Sequence, residues 1–263
     1  MITYYNLGSG SKGNCSLIEF EDQVIMIDAG FSRKEICRRM DELGIDRSKI
    51  QAILITHEHT DHINGLKVFS SNHKKAQCFM NSATAERLHH MDKLPQDDQL
   101  VLFNNGTPFE IGSFKIEAFS ISHDAADPVG YIIHVAGRKL GICTDLGFYG
   151  RMVPLKLQQS DFLVLECNHC PNLVRASTRP PATQKRIMGR RGHLSNDQCN
   201  ELMRELYHDG IQHVVLAHLS KECNEELLVE KQFTSTLFNL GAKEKTHFTI
   251  AKQHEACDPI SIL

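Results

Sequence analysis

Short apolar runs bounded by Gly, Asn and Asp recur along the chain: VIMIDAG, AILIT, AQCFMN, QLVLF, FKIEAFSIS, VGYIIHV, KLGICTD, FLVLECN, HVVLAHLS and HFTIAKQ. Their length, alternation and flanking turn residues predict strands. Helical spacing appears between them, from Ser32 to Leu43 closed by Gly44, and from Ser82 to Leu94 closed by Pro95. It returns from Ser195 to His208 closed by Asp209-Gly210, and from Asn224 to Leu240 closed by Gly241. Ser32, Ser82 and Ser195 stand where a side-chain oxygen would cap the first turn. Strands fall in hairpin-like clusters in the first half, and helix alternates with strand in the last hundred residues. This predicts an α/β fold of mixed sheets covered by helices. One segment, 171–192, carries three prolines and little apolar periodicity, and is expected to be a long loop or arm.

Length and composition narrow the class. A chain of 263 residues, 41 % hydrophobic, can bury a sizeable core, and no linker-like stretch divides it, so one domain over 1–263 is expected. The opening MITYYNLGSGSKGNCSLIEF lacks the basic start and continuous apolar stretch of a signal peptide. No later run approaches the ~18 apolar residues that span a bilayer. A cytoplasmic protein without membrane partners is the expectation. Nine cysteines, odd in number and irregularly spaced, suit reduced, packed thiols better than a disulfide framework. Cys167 and Cys170 have CxxC spacing but no second pair completes a structural zinc site.

A net charge of −3 makes no electrostatic case for nucleic acid by itself. The distribution changes that picture: residues 167–196 contain Arg175, Arg179, Lys185, Arg186, Arg190 and Arg191 and no acidic residue. Such a strip can neutralise phosphates along a strand without reading sequence. The Gly-Ser run GSGSKGN, Gly8 to Asn14, tempts a phosphate-loop assignment. Lys12 precedes the last glycine instead of following it, so a tight turn between the first two strands is expected.

The densest chemistry lies in ILITHEHTDH, Ile53 to His62, where an apolar strand runs into His57, His59, Asp61 and His62. Imidazole and carboxylate together suit Zn, Fe or Mn, with no thiolate required. Other strand ends supply partners: Asp28 ends VIMID, His123 ends FKIEAFSIS, Asp145 ends KLGICTD and His218 ends HVVLAHLS. Polar groups at the tips of rigid strands are well placed for a shared site.

This set, Asp28, His57-x-His59-x-Asp61-His62, His123, Asp145 and His218, resembles the signature of the metallo-β-lactamase fold superfamily. The resemblance implies a four-layer αβ/βα sandwich of two mixed sheets flanked by helices. It also implies two divalent ions (Zn, Mn or Fe), with His57, His59 and His123 around one and Asp61, His62 and His218 around the other. Asp145 would bridge them and Asp28 would orient a ligand from behind. A water between two such ions has a lowered pKa and becomes the nucleophile, so the implied reaction is hydrolysis.

Several stretches resemble the YycJ/WalJ-like branch in particular: LGSGSKGN, LVLECNH around Glu166 and His169, GRRGHLSN from Gly189 to Asn196, and LAHLSKECN. Members of that branch resemble DNA exonucleases working from 5′ ends, which implies a nucleic acid substrate, DNA before RNA. His193 stands 25 residues before His218, close to the interval at which ribonuclease Z-like members carry a histidine that protonates the leaving oxygen. By that analogy Asp61 and His193 are the candidate catalytic residues, His169 joins Asp28 behind the ligands, and Ser195 joins the basic strip as a substrate contact. The branch continues Asn-His with Asp, whereas Cys170 follows His169 here. Asp145 and His218 are 73 positions apart, too close for an inserted β-CASP domain. The alternative on the same scaffold is hydrolysis of a small thioester or lactone.

Overall fold

A computed structural model describes residues 1–263. Fourteen strands run in chain order as β1 (Ile2–Gly8), β2 (Cys15–Phe20), β3 (Gln23–Ile27), β4 (Ile50–Leu54), β5 (Gln77–Asn81), β6 (Leu100–Phe103) and β7 (Phe109–Ile111). They continue as β8 (Phe114–Ser120), β9 (Val129–Val135), β10 (Arg138–Cys143), β11 (Phe162–Glu166), β12 (His213–Ala217), β13 (His247–Ile250) and β14 (Ile260–Ile262). The helices are α1 (Arg33–Glu42), α2 (Thr60–Ile63), α3 (Leu66–Asn72), α4 (Ser82–His90), α5 (Met152–Leu157), α6 (Pro171–Ala176), α7 (Pro181–Ile187), α8 (Asn196–Leu206) and α9 (Glu226–Asn239).

Two seven-stranded sheets result, ordered β14-β1-β2-β3-β4-β5-β6 and β13-β12-β11-β10-β9-β8-β7. Both are mixed. In the first, β1, β2 and β3 pair antiparallel while β3 to β6 pair parallel. In the second, β10 to β13 are parallel and β7 to β9 antiparallel. The two flanked sheets that the family resemblance implied are present. The backbone groups into two compact units, one of 1–120, 125–137 and 252–263, the other of 121–124 and 138–251. No helix is long and apolar enough to cross a membrane.

In the first unit, Ser32 caps α1 by accepting from the Glu35 N–H, and Ile36, Cys37 and Met40 are buried. They join Leu7, Leu17, Met26 and Ile53 in one core cluster. Each such aliphatic side chain contributes about 1.5–3 kcal/mol by leaving water. The helix stops at Gly44, whose φ of +67° is the left-handed conformation a glycine adopts without strain. In the second unit, α8 buries Cys199, Leu202, Met203 and Leu206, the spacing of a single helical face. Its start is a complete capping box between Ser195 and Gln198.

Two expectations change. The helix after β5 is capped by Asn81, whose Oδ1 accepts from the Thr84 N–H at 2.9 Å, and Ser82 is its first residue. It ends four residues before Leu94, because Asp92 turns left-handed (φ 53°) and the Lys93 N–H closes onto Leu88 O at 2.8 Å. The segment 171–192 is not a loop: it holds α6 and α7, each with proline at its start. Proline is suited there, since the first helical N–H has no partner to lose. Val174 and Ile187 are buried with Cys223, an anchor too sparse to register as periodicity.

Cys170 is the N-cap of α6 and makes no side-chain cap bond. Replacing Cys170 with Asp should stabilise the protein by about 1 kcal/mol, read as a higher denaturation midpoint at neutral pH.

Candidate metal centre

In the first unit, the chain leaving β4 is shaped by one carboxylate. Asp28, at the end of β3, adopts φ 58°, an unfavourable conformation for a non-glycine residue. Its Oδ1 accepts from the Thr56 N–H at 2.9 Å, and its Oδ2 from the Thr56 hydroxyl at 2.8 Å and from His62 Nδ1 at 2.7 Å. With its own proton given to Asp28, the Thr56 oxygen accepts from His57 Nδ1 at 3.0 Å. Both imidazoles thus have Nδ1 committed and present Nε2 as the lone-pair nitrogen. His57 lies between the other two rings, 4.1 Å from His62 and 4.6 Å from His59. Asp61, in α2, places Oδ2 3.6 Å from His62 Nε2. Gly30 seals the loop from behind: a Cβ there would stand 1.7 Å from Asp61 O, so only glycine fits.

In the second unit, His123 follows β8 and its Nδ1 donates to Gly192 O at 2.8 Å. Its Nε2 lies 3.6 Å from Asp145 Oδ1 and 3.4 Å from Asp124 Oδ1. Asp145 and His218, at the tips of β10 and β12, have φ of 56° and 57°. Asp28, Asp145 and His218 thus share a left-handed backbone conformation that costs a non-glycine residue about 1–3 kcal/mol.

Glu166 organises this half. Wholly buried at the end of β11, it accepts at Oε1 from His193 Nδ1 and His218 Nδ1, each at 2.9 Å. At Oε2 it accepts from the Leu146 N–H at 2.7 Å and the Leu194 N–H at 3.0 Å. Burial alone would raise its pKa, but the two imidazoles outweigh that and hold it well below the usual carboxylate range. Potential ligand atoms of Asp145, Glu166, His193 and His218 all lie within 4.8 Å of one another.

The donor chemistry fits a divalent ion. Four imidazoles (His57, His62, His123, His218) each have Nδ1 held by an oxygen acceptor, which fixes the tautomer that offers Nε2 to a cation. Burial lowers the pKa of His123, which keeps that nitrogen unprotonated at neutral pH.

A comparison with known sequences and structures decides the family. The profile described as "Beta-lactamase superfamily domain" matches residues 23–219. Exodeoxyribonuclease YycJ of Bacillus anthracis is 30% identical over 250 residues, covering 94% of each chain. The chain belongs to the metallo-β-lactamase superfamily, in its YycJ/WalJ-like branch. Exodeoxyribonuclease WalJ of Streptococcus pneumoniae is likewise 30% identical, over 89% of this chain and 87% of its own. Among solved structures, the metallo-β-lactamase fold protein YhfI of Bacillus subtilis superposes with a TM-score of 0.73 at 15% identity, covering 98% and 99% of the two chains. Membership makes this chain a metal-dependent hydrolase.

Asp28 holds His62 through Nδ1. His169 is buried, but its Nδ1 makes no hydrogen bond, and the carboxylate holding His218 is Glu166. Glu166 stood inside LVLECNH without a role. Its signal was the one used for Asp145, a carboxylate ending an otherwise apolar strand. Thr56 gave no such signal, since a threonine at a strand end is ordinary. The Ser195 hydroxyl is taken up by the capping box of α8.

The basic strip gains counter-charges that its own sequence lacks. Arg186 pairs with Asp124 at 2.9 Å and Arg179 with Glu222 at 3.0 Å. Arg175 bonds Asn172, Arg191 donates to His123 O, and Lys185 is exposed on α7. Arg190 lies over the Phe148 ring at 3.7 Å.

Burial drives the His169 imidazole down to about 4, and that of His213 also to about 4. Unfolded histidines titrate near ~6.5, so the unfolded chain takes up protons that the folded one refuses. Stability of the metal-free protein should therefore decline as pH falls from about 6.5 toward 4. A series of thermal melts across that window checks this, and a flat profile would contradict it.

Proposed function

We propose that this chain is a phosphodiesterase acting on nucleic acid, specifically a 5′-to-3′ DNA exonuclease. The observation that carries the proposal is the His193–Glu166 pair beside Asp145. Ester hydrolysis at phosphorus expels a poor alkoxide leaving group, which needs a proton as the bond breaks. His193 Nδ1 is held by Glu166, which aims the ring and leaves Nε2 to carry the transferable proton. The resemblance to two exodeoxyribonucleases over most of their lengths supports the choice of DNA.

Divalent ions would take ligands from His57, His59, Asp61 and His62 in the first unit and from His123, Asp145 and His218 in the second. Bound there, they would supply a water of lowered pKa and neutralise charge on the phosphate. The protein's own groups do the rest. Asp28 and Thr56 hold the ligand imidazoles in one tautomer, and Asp61 belongs to both the ligand set and the orientation of the attacking water. His193 gives its proton to the departing oxygen. Arg190 and Arg191, exposed on the strip, contact the backbone phosphates, and the Arg190–Phe148 stack offers a planar surface to a base.

The test is an activity panel of 5′-labelled and 3′-labelled single-stranded and duplex DNA, matched RNA, a glutathione thioester and an acyl lactone. Each is run with Mn and with Zn, and with Asp61→Ala as control. Expected are mononucleotides released from the 5′ end of DNA, weakening steeply as salt rises, and no cleavage by Asp61→Ala. Turnover of thioester or lactone alone would replace this proposal with small-molecule hydrolysis. DNA left intact by wild-type protein, as by Asp61→Ala, would end it.

A further inference from the structure

We propose that Asn14 presets the Asp61–His62 half of the metal site, as a positioning residue for metal capture; this rests on the metal-dependent reading above. Asn14 closes the turn Gly8–Asn14 between β1 and β2, the run that looked like a phosphate loop and lacked its spacing. It is buried, and its side chain faces two ways. Oδ1 accepts from the Ser9 hydroxyl at 3.0 Å and the Gly10 N–H at 2.9 Å, which fixes the amide's orientation within the turn. Nδ2 lies 3.0 Å from His62 Nε2 and 3.3 Å from Asp61 Oδ2, with Gly10 O at 3.1 Å.

The atoms that Nδ2 meets are the ones that would face an ion. His62 Nδ1 gives its proton to Asp28, so Nε2 carries the lone pair and the Asn14 amide donates to it. A carboxylate oxygen and an imidazole lone pair set side by side repel each other when no cation lies between them. The Asn14 N–H groups offset that repulsion and keep both donors at the site until an arriving ion takes the Nε2 lone pair, leaving the amide to Gly10 O and Asp61 Oδ2. A ligand pair already assembled costs less to order when the ion arrives. The turn cannot drift, because the Asn14 N–H also donates to Asp61 O at 2.8 Å and the Gly30 N–H to Asn14 O at 2.9 Å.

The experiment titrates Mn²⁺ into chelator-stripped full-length protein, with bound metal counted by equilibrium dialysis and elemental analysis. It compares wild type, Asn14→Ala, Asn14→Asp and Ser9→Ala, each also melted with and without metal. Asn14→Ala should bind one of two equivalents roughly 10–100-fold more weakly. Ser9→Ala, which loosens the turn but keeps the donor, should stay within about twofold of wild type on the same scale. Asn14→Asp keeps the acceptor for Ser9 and Gly10 and replaces the donor with a third anionic group. Its metal-induced rise in melting temperature should exceed that of wild type. Wild-type binding of both equivalents by Asn14→Ala would overturn the proposal. So would an equal loss in Ser9→Ala, or an unchanged metal-induced shift in Asn14→Asp. Wild-type protein that binds no metal would instead overturn the functional reading on which the proposal stands.

Discussion

Replacing His193 with alanine is expected to slow cleavage of a DNA phosphodiester by about 10²–10⁴-fold while metal content stays unchanged. His193 belongs to no proposed ligand set, and its Nδ1 is 2.9 Å from Glu166, so the ring is aimed by a buried carboxylate. A proton donor matters in proportion to how badly the leaving group needs it. A p-nitrophenyl phosphodiester leaves as a stabilised anion, so its hydrolysis by His193→Ala should fall by less than about tenfold. Parallel losses on both substrates would mean that His193 only supports the fold. No loss on either would remove it from the reaction.

Glu166→Gln should damage stability and turnover together. Four N–H groups converge on this carboxylate, two from imidazoles and two from the backbone, in a pocket without solvent. A glutamine offers one acceptor oxygen and brings an amide whose hydrogens face donors. Breaking a buried charged network in this way costs about 3–5 kcal/mol. The imidazoles of His193 and His218 lose their tautomer control at the same time, so turnover should drop at least as far as in His193→Ala. Denaturant midpoints and rates on the same preparation check both effects, and wild-type values for either would refute the role assigned to Glu166. The carboxylate's pKa lies below its unfolded value, so the stability it confers is complete above about pH 4.3 and is lost as pH falls toward the folded value. The variant should lack that acid-dependent component.

Membership in a family of DNA-directed names does not by itself explain how this chain would grip its substrate. The strip 167–196 looked uniformly positive because carboxylates were counted only along the chain. In the fold, Asp124 and Glu222 reach Arg186 and Arg179, while Arg175, Lys185, Arg190 and Arg191 are exposed, Arg190 lying over Phe148. A strand contact confined to those residues has a smaller salt dependence than six free cations would give.

The sequence by itself determined ten strands (β3–β6 and β8–β13), the mixed character of the sheets, the extent of α1, the capped start of α8, and the ligand candidates from His57 to His218. These follow from periodicity, capping residues and polar groups at the tips of apolar runs, all of which are local. Only the tertiary structure decided that Asp28 serves Thr56 and His62 together, that Glu166 holds His193 and His218, and that Asn14 faces the ligand pair. It also decided that 171–192 holds two helices, α6 and α7, anchored where Val174 and Ile187 are buried with Cys223. Each of these depends on residues dozens of positions apart meeting at hydrogen-bond or packing distance. Local pattern carries no record of such meetings, because one carboxylate at a strand end looks like another until its partners are in place.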